Sequence, residues 1–139
     1  MRKISDIMCK DPETIARHRT VREAAVIMKE RDIGDVLVVD EDGRLCGIVT
    51  DRDIVVRGLA EGRDLDETPI GDLCSGKTIT LALDADFADA VAIMREHAIR
   101  RVPIVENGEP IGIVSIGDLA REGDPRSALA EISAAPPNA

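Results

Sequence analysis

Apolar residues recur along the chain first with helical spacing and then with strand spacing. One apolar helical face is predicted after Thr20 and another after Asp86, formed by Val21, Ala24, Ala25 and Met28 and by Phe87, Ala90, Val91 and Met94. Apolar runs at 36–39 and 102–105 follow and predict strands, and each leads through a turn, Asp42-Gly43 or Asn107-Gly108, into a second run. The return strands are predicted at 45–49 and 111–114, and a polar cap, Thr50 or Ser115, then opens a second helix. The pattern predicts two α-β-β-α units, an α/β fold of mixed α+β type.

The two halves are copies of each other. With a shift of 66 residues, seven of the 21 positions in 20–40 are identical to those in 86–106. With a shift of 65, five of the 11 positions in 43–53 match 108–118. We interpret the chain as a tandem duplication, with repeat 1 at 1–60, a linker at 61–71, repeat 2 at 72–123 and a C-terminal tail at 124–139. One unit of about 60 residues is marginal alone, so the repeats are expected to pack about a pseudo-two-fold axis.

Charge and composition exclude several classes of function. The 18 Lys and Arg against 27 Asp and Glu give a net charge of −9, which disfavours nucleic acid and an anionic membrane surface as partners. No Trp or Tyr and only one Phe are present, so base stacking on aromatic side chains is excluded. No apolar run reaches the roughly 18 residues of a membrane span, and none follows Arg2-Lys3 as in a secretory signal. Cys9, Cys46 and Cys74 lack CxxC spacing and indicate inert thiols in a cytoplasmic protein.

Recognisable catalytic or metal-binding arrangements are absent from the sequence. His18 and His97 have no partner at metal-ligand spacing, and neither a P-loop nor a G-x-S-x-G motif occurs. Asp51 and Asp53 lie two positions apart at a helix start and point in different directions, which disfavours paired acid–base work. We therefore predict no catalytic residue and no metal site, and a hydrolase or redox enzyme is the third-ranked hypothesis.

One motif closes each repeat. Residues 47–53 (GIVTDRD) and 112–118 (GIVSIGD) share a glycine, two β-branched residues, a hydroxyl residue and, three positions later, an aspartate. Thr50 with Asp53, and Ser115 with Asp118, have the spacing of a capping box at a helix start. The same geometry suits a ligand, because a helix start and a hydroxyl attract phosphate and a carboxylate accepts from vicinal ribose hydroxyls. The motif alone leaves both interpretations open.

The duplication, the hairpins and the motif together resemble a tandem pair of cystathionine-β-synthase (CBS) domains, a Bateman module. The resemblance covers about residues 1–120 and includes the segment 50–55 (TDRDIV). It implies adenosyl ligands such as AMP, ADP or ATP, with S-adenosylmethionine or NAD as further candidates, bound in clefts between the repeats. It also implies that Asp53 and Asp118 hold the ribose and that Thr50 and Ser115 contact phosphate. The strand and loop positions that match the family's adenine site are Val36, Val102, Pro103, Thr14, Ile15 and Thr80.

The two motif sites differ in their cationic residues. Arg100-Arg101 stand where repeat 1 has Gly34-Asp35, and Arg52 stands where repeat 2 has Gly117. Arg52, Arg100 and Arg101 are the candidates to neutralise a phosphate, since arginine suits bidentate phosphate contacts.

Two functions follow from the resemblance. The first is a regulatory homodimer that binds an adenosyl ligand, requires no other cofactor, and is read by a separate effector protein. The alternative is a ligand-independent dimerisation and interaction scaffold in which the T/S-x-x-D motifs act only as helix caps.

Overall fold

The computed structural model describes residues 2–74 and 77–123. The chain divides into two compact units, one formed by Pro12–Thr78 and the other by Met1–Asp11 together with Ile79–Ala139. We call them the Thr50 unit and the Ser115 unit after the hydroxyl residue of the motif that each contains. The mixed α/β fold predicted from the sequence is confirmed, because each unit contains its own sheet with helices packed on it.

The Thr50 unit contains a three-stranded sheet in the order β2-β3-β4. Its elements are β2 (Thr14–Ala16), α1 (Val21–Arg31), β3 (Asp35–Val39), β4 (Leu45–Thr50), α2 (Asp51–Asp53), a π-helix (Ile54–Leu59) and a 3-10 helix (Ile70–Leu73). Strand β2 runs parallel to β3, whereas β4 is antiparallel to it.

The Ser115 unit contains a four-stranded sheet in the order β1-β7-β6-β5. Its elements are a 3-10 helix (Ile4–Asp6), β1 (Cys9–Lys10), β5 (Leu81–Ala82), α3 (Phe87–His97), β6 (Arg101–Glu106), β7 (Glu109–Ser115) and α4 (Ile116–Gly123). Strand β5 is parallel to β6, and the N-terminal strand β1 pairs antiparallel with β7. The N-terminal segment therefore completes the sheet that carries the second motif.

Each unit has its own hydrophobic core. In the Thr50 unit the predicted helix face is buried against the strands, together with the 3-10 helix, through Val21, Ala24, Met28, Val36, Val38, Val49, Ile70 and Leu73. In the Ser115 unit the matching core includes Ile4, Leu81, Ala90, Met94, Val102, Ile104, Val114 and Leu119. The apolar spacing in the sequence thus selected the correct faces of both long helices.

The local signals at the element ends have the predicted geometry. Thr20 caps α1 by accepting from the backbone N–H of Glu23 at 3.1 Å, and Asp86 forms a full capping box with Asp89 at the start of α3. Asn107 and Gly108 both adopt positive φ, 53° and 83°, and join β6 to β7 in a two-residue hairpin. These interactions are local, which explains why the sequence predicted them.

Two features of the architecture differ from the α-β-β-α pattern. The short strands β1, β2 and β5 span only two or three residues and carry no alternation that a sequence pattern would reveal. In addition, the compact units do not coincide with the sequence repeats, because residues 1–11 belong to the Ser115 unit and Ile70–Leu73 to the Thr50 unit. The predicted tail at 124–139 and the segment Ser75-Gly76 lie outside the described residues.

Candidate functional site

The motif residues Ser115 and Asp118 are joined by two reciprocal hydrogen bonds at the start of α4. The backbone N–H of Asp118 donates to Ser115 Oγ at 3.2 Å, and the backbone N–H of Ser115 donates to Asp118 Oδ2 at 2.8 Å. The second carboxylate oxygen, Asp118 Oδ1, accepts from the guanidinium of Arg121. The Asp118 side chain is only 11% exposed, so these contacts hold it in one orientation.

Thr50 and Asp53 form the same arrangement at the start of α2. The backbone N–H of Asp53 donates to Thr50 Oγ1 at 3.1 Å, and the backbone N–H of Thr50 donates to Asp53 Oδ2 at 2.9 Å. Both residues are half-buried. The capping function that the spacing predicted is therefore present in both repeats.

Capping leaves some hydrogen-bond donors and acceptors of these side chains unused. A hydroxyl has one donor and two lone pairs, so Thr50 and Ser115 keep a donor after accepting the cap hydrogen bond. An ionised carboxylate has about four acceptor positions on two oxygens, and the cap occupies one of them. The arrangement can therefore hold a helix start and a hydroxyl-bearing ligand at the same time.

A groove of about 390 Å³ lies beside the second motif and is rich in arginine. It is lined by Arg100, Arg101, Ser115, Ile116, Gly117 and Arg121. The strand register explains this grouping, since Arg101 is the partner of Ser115 between β6 and β7. The backbone N–H of Ile116 also donates to the carbonyl of Arg100 at 2.8 Å. Two of the arginines predicted from the sequence thus lie beside the predicted hydroxyl.

Arg121 is the arginine of this groove that was not among the site residues predicted from the sequence. It lies one helical turn after Asp118 and forms an ion pair with it. The i,i+3 spacing of an acidic and a basic residue on a helix could have predicted this pair from the sequence. Its side chain is 38% exposed, so its guanidinium is accessible from the groove while bound to Asp118.

The first motif has different neighbours. Asp35 is the strand partner of Thr50, and the backbone N–H of Asp51 donates to the carbonyl of Gly34 at 2.9 Å. A β-carbon placed on Gly34 would lie 3.3 Å from Asp51 Oδ2, so the Asp51 carboxylate covers the position that arginine occupies in the other repeat. The predicted Arg52 is exposed, and its backbone N–H donates to Asp51 Oδ1 at 2.8 Å.

The predicted adenine-site residues are divided between core and surface. Val36 and Val102 are fully buried in the two cores, as is Pro103, and Ile15 is 5% exposed. Any ligand at these strands would contact their backbone rather than these side chains. Thr14 and Thr80 are exposed, Thr14 on the edge strand β2 and Thr80 directly before the edge strand β5. Each unit thus contains one set of the predicted adenine-site residues. Their role in binding adenine stays a prediction.

The motif glycines serve packing. A β-carbon on Gly47 would lie 3.1 Å from both Cβ and Sγ of Cys74, and one on Gly112 would overlap the Met8 sulfur and lie 3.1 Å from the Cys9 carbonyl. Each strand therefore needs a glycine at the point where another segment crosses it. The segment at Cys74 crosses β4 at Gly47, and the segment at Met8 and Cys9 crosses β7 at Gly112. The close approach of these segments, rather than a ligand contact, explains the glycine in each motif.

Cys46 and Cys74 line a second groove of about 530 Å³ in the Thr50 unit, together with Arg17, His18, Pro69, Gly71 and Asp72. Burial raises the pKa of the Cys74 thiol to about 11, and burial is also the main cause of the raised pKa of Cys46. A raised pKa lowers the thiolate fraction at neutral pH, which makes both thiols poor nucleophiles. Cys46, Cys74 and Cys9 carry no disulfide.

Across residues 2–74 and 77–123, no three His, Cys, Asp or Glu side chains are grouped as ligands of a metal ion would be. Among the helices of that same part of the chain, none has the length and apolar character needed to cross a bilayer.

Comparison with known proteins identifies a family. The model of a family described as "CBS domain" matches the chain twice, at residues 4–59 and 70–124. The chain is 39% identical over 120 residues to the CBS domain-containing protein YhcV of Bacillus subtilis, which covers 86% of this chain and 84% of that protein. Hypoxic response protein 1 of Mycobacterium tuberculosis is 37% identical over 116 residues, covering 84% of this chain and 81% of that protein.

Solved structures agree with this result. The crystal structure of Hypoxic Response Protein I, which holds two coordinated zinc ions, matches with a TM-score of 0.81 at 36% identity, covering 88% of this chain and 99% of that chain. The CBS domain pair of protein MJ0100, in complex with 5-methylthioadenosine and S-adenosyl-L-methionine, matches with a TM-score of 0.79 at 28% identity, covering 91% and 99%.

Proposed function

Because the chain belongs to the CBS domain family, with two copies of the domain at residues 4–59 and 70–124, we propose that it is a regulatory, non-catalytic module that binds an adenosine-containing ligand. The observation that carries the proposal is the pair of motif sites, in which a hydroxyl and a carboxylate are fixed beside each other at a helix start. The ligands bound by the MJ0100 domain pair, both adenosyl compounds, support the choice of ligand class.

The motif residues supply complementary contacts to such a ligand. Asp53 and Asp118 accept hydrogen bonds from the ribose hydroxyls through the carboxylate positions that the caps leave open. Thr50 and Ser115 donate their hydroxyl protons to phosphate oxygens or to a polar substituent on the ribose. The fixed orientation of the carboxylates lowers the entropy lost on binding, because the cap already holds each side chain.

Regulation requires that the ligand favour one arrangement of the protein over another. A ligand shifts such an equilibrium only as far as its affinities for the two arrangements differ. We propose that the chain acts as a homodimer and that a separate effector protein binds one of its arrangements.

Equilibrium dialysis against adenosine, AMP, ATP and S-adenosylmethionine tests the proposal. The chain has no Trp or Tyr, so adenine absorbance reports the bound ligand with little protein background. We expect Asp53→Ala and Asp118→Ala each to abolish binding at one site, and the double variant to abolish both.

The matched controls are Thr50→Ala and Ser115→Ala. Each removes one cap hydrogen bond, as the aspartate variants do, but leaves the ribose-binding carboxylate in place. These controls should therefore lose stability as the aspartate variants do, and should weaken adenosine binding less than the aspartate variants. Failure of all four compounds to bind the wild-type protein at millimolar concentration contradicts the proposal.

The scaffold hypothesis rests on the same hydrogen bonds, since both motifs do cap helices. It predicts that the aspartate and hydroxyl variants lose stability to a similar degree and that none of these compounds stabilises the protein. In contrast, a ligand that binds the folded protein and not the unfolded chain would raise the free energy of unfolding by about 2.7 kcal/mol at a concentration one hundred times its Kd.

A further inference from the structure

The two motif sites share one backbone arrangement. In the first, the backbone N–H of Asp51 donates to the carbonyl of Gly34 at 2.9 Å. In the second, the backbone N–H of Ile116 donates to the carbonyl of Arg100 at 2.8 Å. Both donors directly follow a motif hydroxyl, and both hydroxyls form the same reciprocal cap with the aspartate three positions later. A difference in ligand affinity between the sites therefore arises from the side chains on this shared backbone.

The side chains of Ile116 and Asp51 occupy these equivalent positions in different ways. Ile116 lines the groove of about 390 Å³ beside Ser115 and is 43% exposed. The Asp51 carboxylate lies over Gly34, with Oδ2 3.3 Å from the place of a β-carbon, and its Oδ1 accepts from the next backbone N–H at 2.8 Å. The site at Ser115, called the Ser115 site, thus offers an exposed apolar side chain, whereas the site at Thr50, called the Thr50 site, offers a carboxylate.

We propose that Ile116 is a specificity-determining residue, whose side chain packs against the nucleoside and makes the Ser115 site the tighter of the two for an adenosine-containing ligand. The Thr50 site lacks this contact, because Asp51 stands at the aligned position. This inference rests on the proposed function, since it assumes that both motifs bind adenosine, and it assigns their difference in affinity to one position. The observation that carries it is the exposed Ile116 in the groove, against the Asp51 carboxylate on the equivalent backbone hydrogen bond.

An exposed isoleucine in a groove favours binding of the uncharged part of the ligand. Apolar surface that a ligand removes from water contributes to affinity in proportion to its area. In small-molecule sites the apolar lining supplies this area, and a few polar groups fix the orientation of the ligand. Ser115 and Asp118 are the polar groups here. The chain has no Trp or Tyr, so an aliphatic side chain takes the place of an aromatic platform for the nucleoside.

Asp51 does not replace Ile116 in this role. Its side chain is exposed in the free protein, so its carboxylate is hydrated. A nucleoside that covered this carboxylate would remove part of its hydration, which costs free energy unless hydrogen bonds replace the water. Covering Ile116 has no such cost. Adenosine itself carries no charge, so the expected difference between the sites does not depend on attraction between ions.

Equilibrium dialysis against adenosine measures the difference between the sites. Asp53→Ala isolates the Ser115 site, and Asp118→Ala isolates the Thr50 site. We expect the isolated Ser115 site to bind adenosine at least about tenfold more tightly than the isolated Thr50 site, because it buries the exposed part of one isoleucine.

Ile116→Asn, made in the Asp53→Ala background, replaces the apolar surface by a polar side chain without adding a charge. It should weaken adenosine binding by about tenfold, whereas Ile116→Val should keep the affinity within about threefold. The matched control is Val26→Asn in the same background, because Val26 on α1 is also 43% exposed but belongs to the Thr50 unit. This control should leave the affinity unchanged.

Asp51→Ile, made in the Asp118→Ala background, is the reverse substitution. It should strengthen adenosine binding at the Thr50 site by about tenfold. It also keeps the proposal testable if Ile116→Asn does not fold. The control is Asp51→Asn, which removes the charge but keeps the size and polarity of the side chain, and should change the affinity by less than about threefold. An equal gain in Asp51→Asn and Asp51→Ile would show that charge separates the two sites and would overturn the role of Ile116.

The two possible failures are distinguishable. If neither the wild-type protein nor any variant binds adenosine, the proposed function fails and this inference fails with it. If adenosine binds but the two isolated sites have equal affinity, the proposed function stands and the role of Ile116 is wrong. Equal losses of affinity in Ile116→Asn and Val26→Asn would likewise overturn the role of Ile116 and leave the proposed function in place.

Discussion

Ser115 and Asp118 exchange two hydrogen bonds, each through the backbone N–H of one residue and the side-chain oxygen of the other, at 3.2 and 2.8 Å. The arrangement closes a ring at the point where β7 ends and α4 begins. It satisfies the backbone donors that a helix start leaves unpaired and fixes the carboxylate beside the hydroxyl. The atoms of Ser115 and Asp118 that stabilise the helix start therefore also form a preorganised polar site.

We expect Ser115→Ala and Thr50→Ala each to lower the free energy of unfolding by about 1 kcal/mol, the usual cost of an N-cap side chain. Urea denaturation of each variant, with Ser115→Thr as the control that retains the hydroxyl, checks this result. An unchanged free energy in both alanine variants would show that the hydroxyls do not stabilise the helix starts.

Substitution of Gly112 should be costly because the segment at Met8 and Cys9 crosses it. Gly112→Ala places a β-carbon against the Met8 sulfur and 3.1 Å from the Cys9 carbonyl, which is backbone and cannot move away easily. We expect a loss of about 1–3 kcal/mol in the free energy of unfolding.

The matched control is Gly34→Ala, because the three atoms nearest to its β-carbon all belong to the Asp51 side chain. Its effect should stay within about 0.5 kcal/mol. Similar losses in the two variants would contradict the close approach at Gly112.

Ala98 ends α3 in the left-handed region, with φ 53° and ψ 42°. An L residue is disfavoured there, whereas glycine adopts this conformation freely. Ala98→Gly should therefore raise the free energy of unfolding by about 1 kcal/mol. Ala92→Gly, an exposed position inside the same helix, should lower it by about 1 kcal/mol. Thermal and urea denaturation of the pair measure both signs, and a loss in both variants would argue against the strained cap.

The half-buried thiol of Cys74 makes stability depend on alkaline pH. Its pKa is raised in the folded protein from an ordinary value of 9.0 to about 11. The contribution is complete below about pH 9 and is lost as the pH rises through about 11, since the unfolded chain ionises first.

We expect this linkage to change the free energy of unfolding by on the order of 1–2 kcal/mol. The measurement is urea denaturation between about pH 9 and pH 11. The free energy of unfolding of Cys74→Ala should fall less steeply with pH than that of the wild type. Cys9→Ala, which removes an exposed thiol, is the control and should follow the wild-type curve. Parallel curves for wild type and Cys74→Ala would show that this thiol is not protected by burial.

Features that depend on neighbouring residues along the chain could be predicted from the sequence. The helical faces after Thr20 and Asp86, the Asn107-Gly108 hairpin and the Thr/Ser–Asp caps involve residues within a few positions of each other. Their geometry follows from local periodicity and local hydrogen bonds. The duplication made the assignment stronger, because each signal occurred twice, and it led to the correct family.

Contacts between segments that are distant in the sequence could not be predicted in this way and are seen in the folded structure. The N-terminal strand β1 pairs with β7 and places Met8 over Gly112, about a hundred residues away along the chain. Arg121 reaches the groove of Arg100 and Arg101 because β7 and α4 return the chain to the start of β6. Such contacts have no period in the sequence, since they depend on strand order and register rather than on spacing. The aligned repeats already differ in their cationic residues, whereas only the packing places Arg121 beside Arg100 and Arg101.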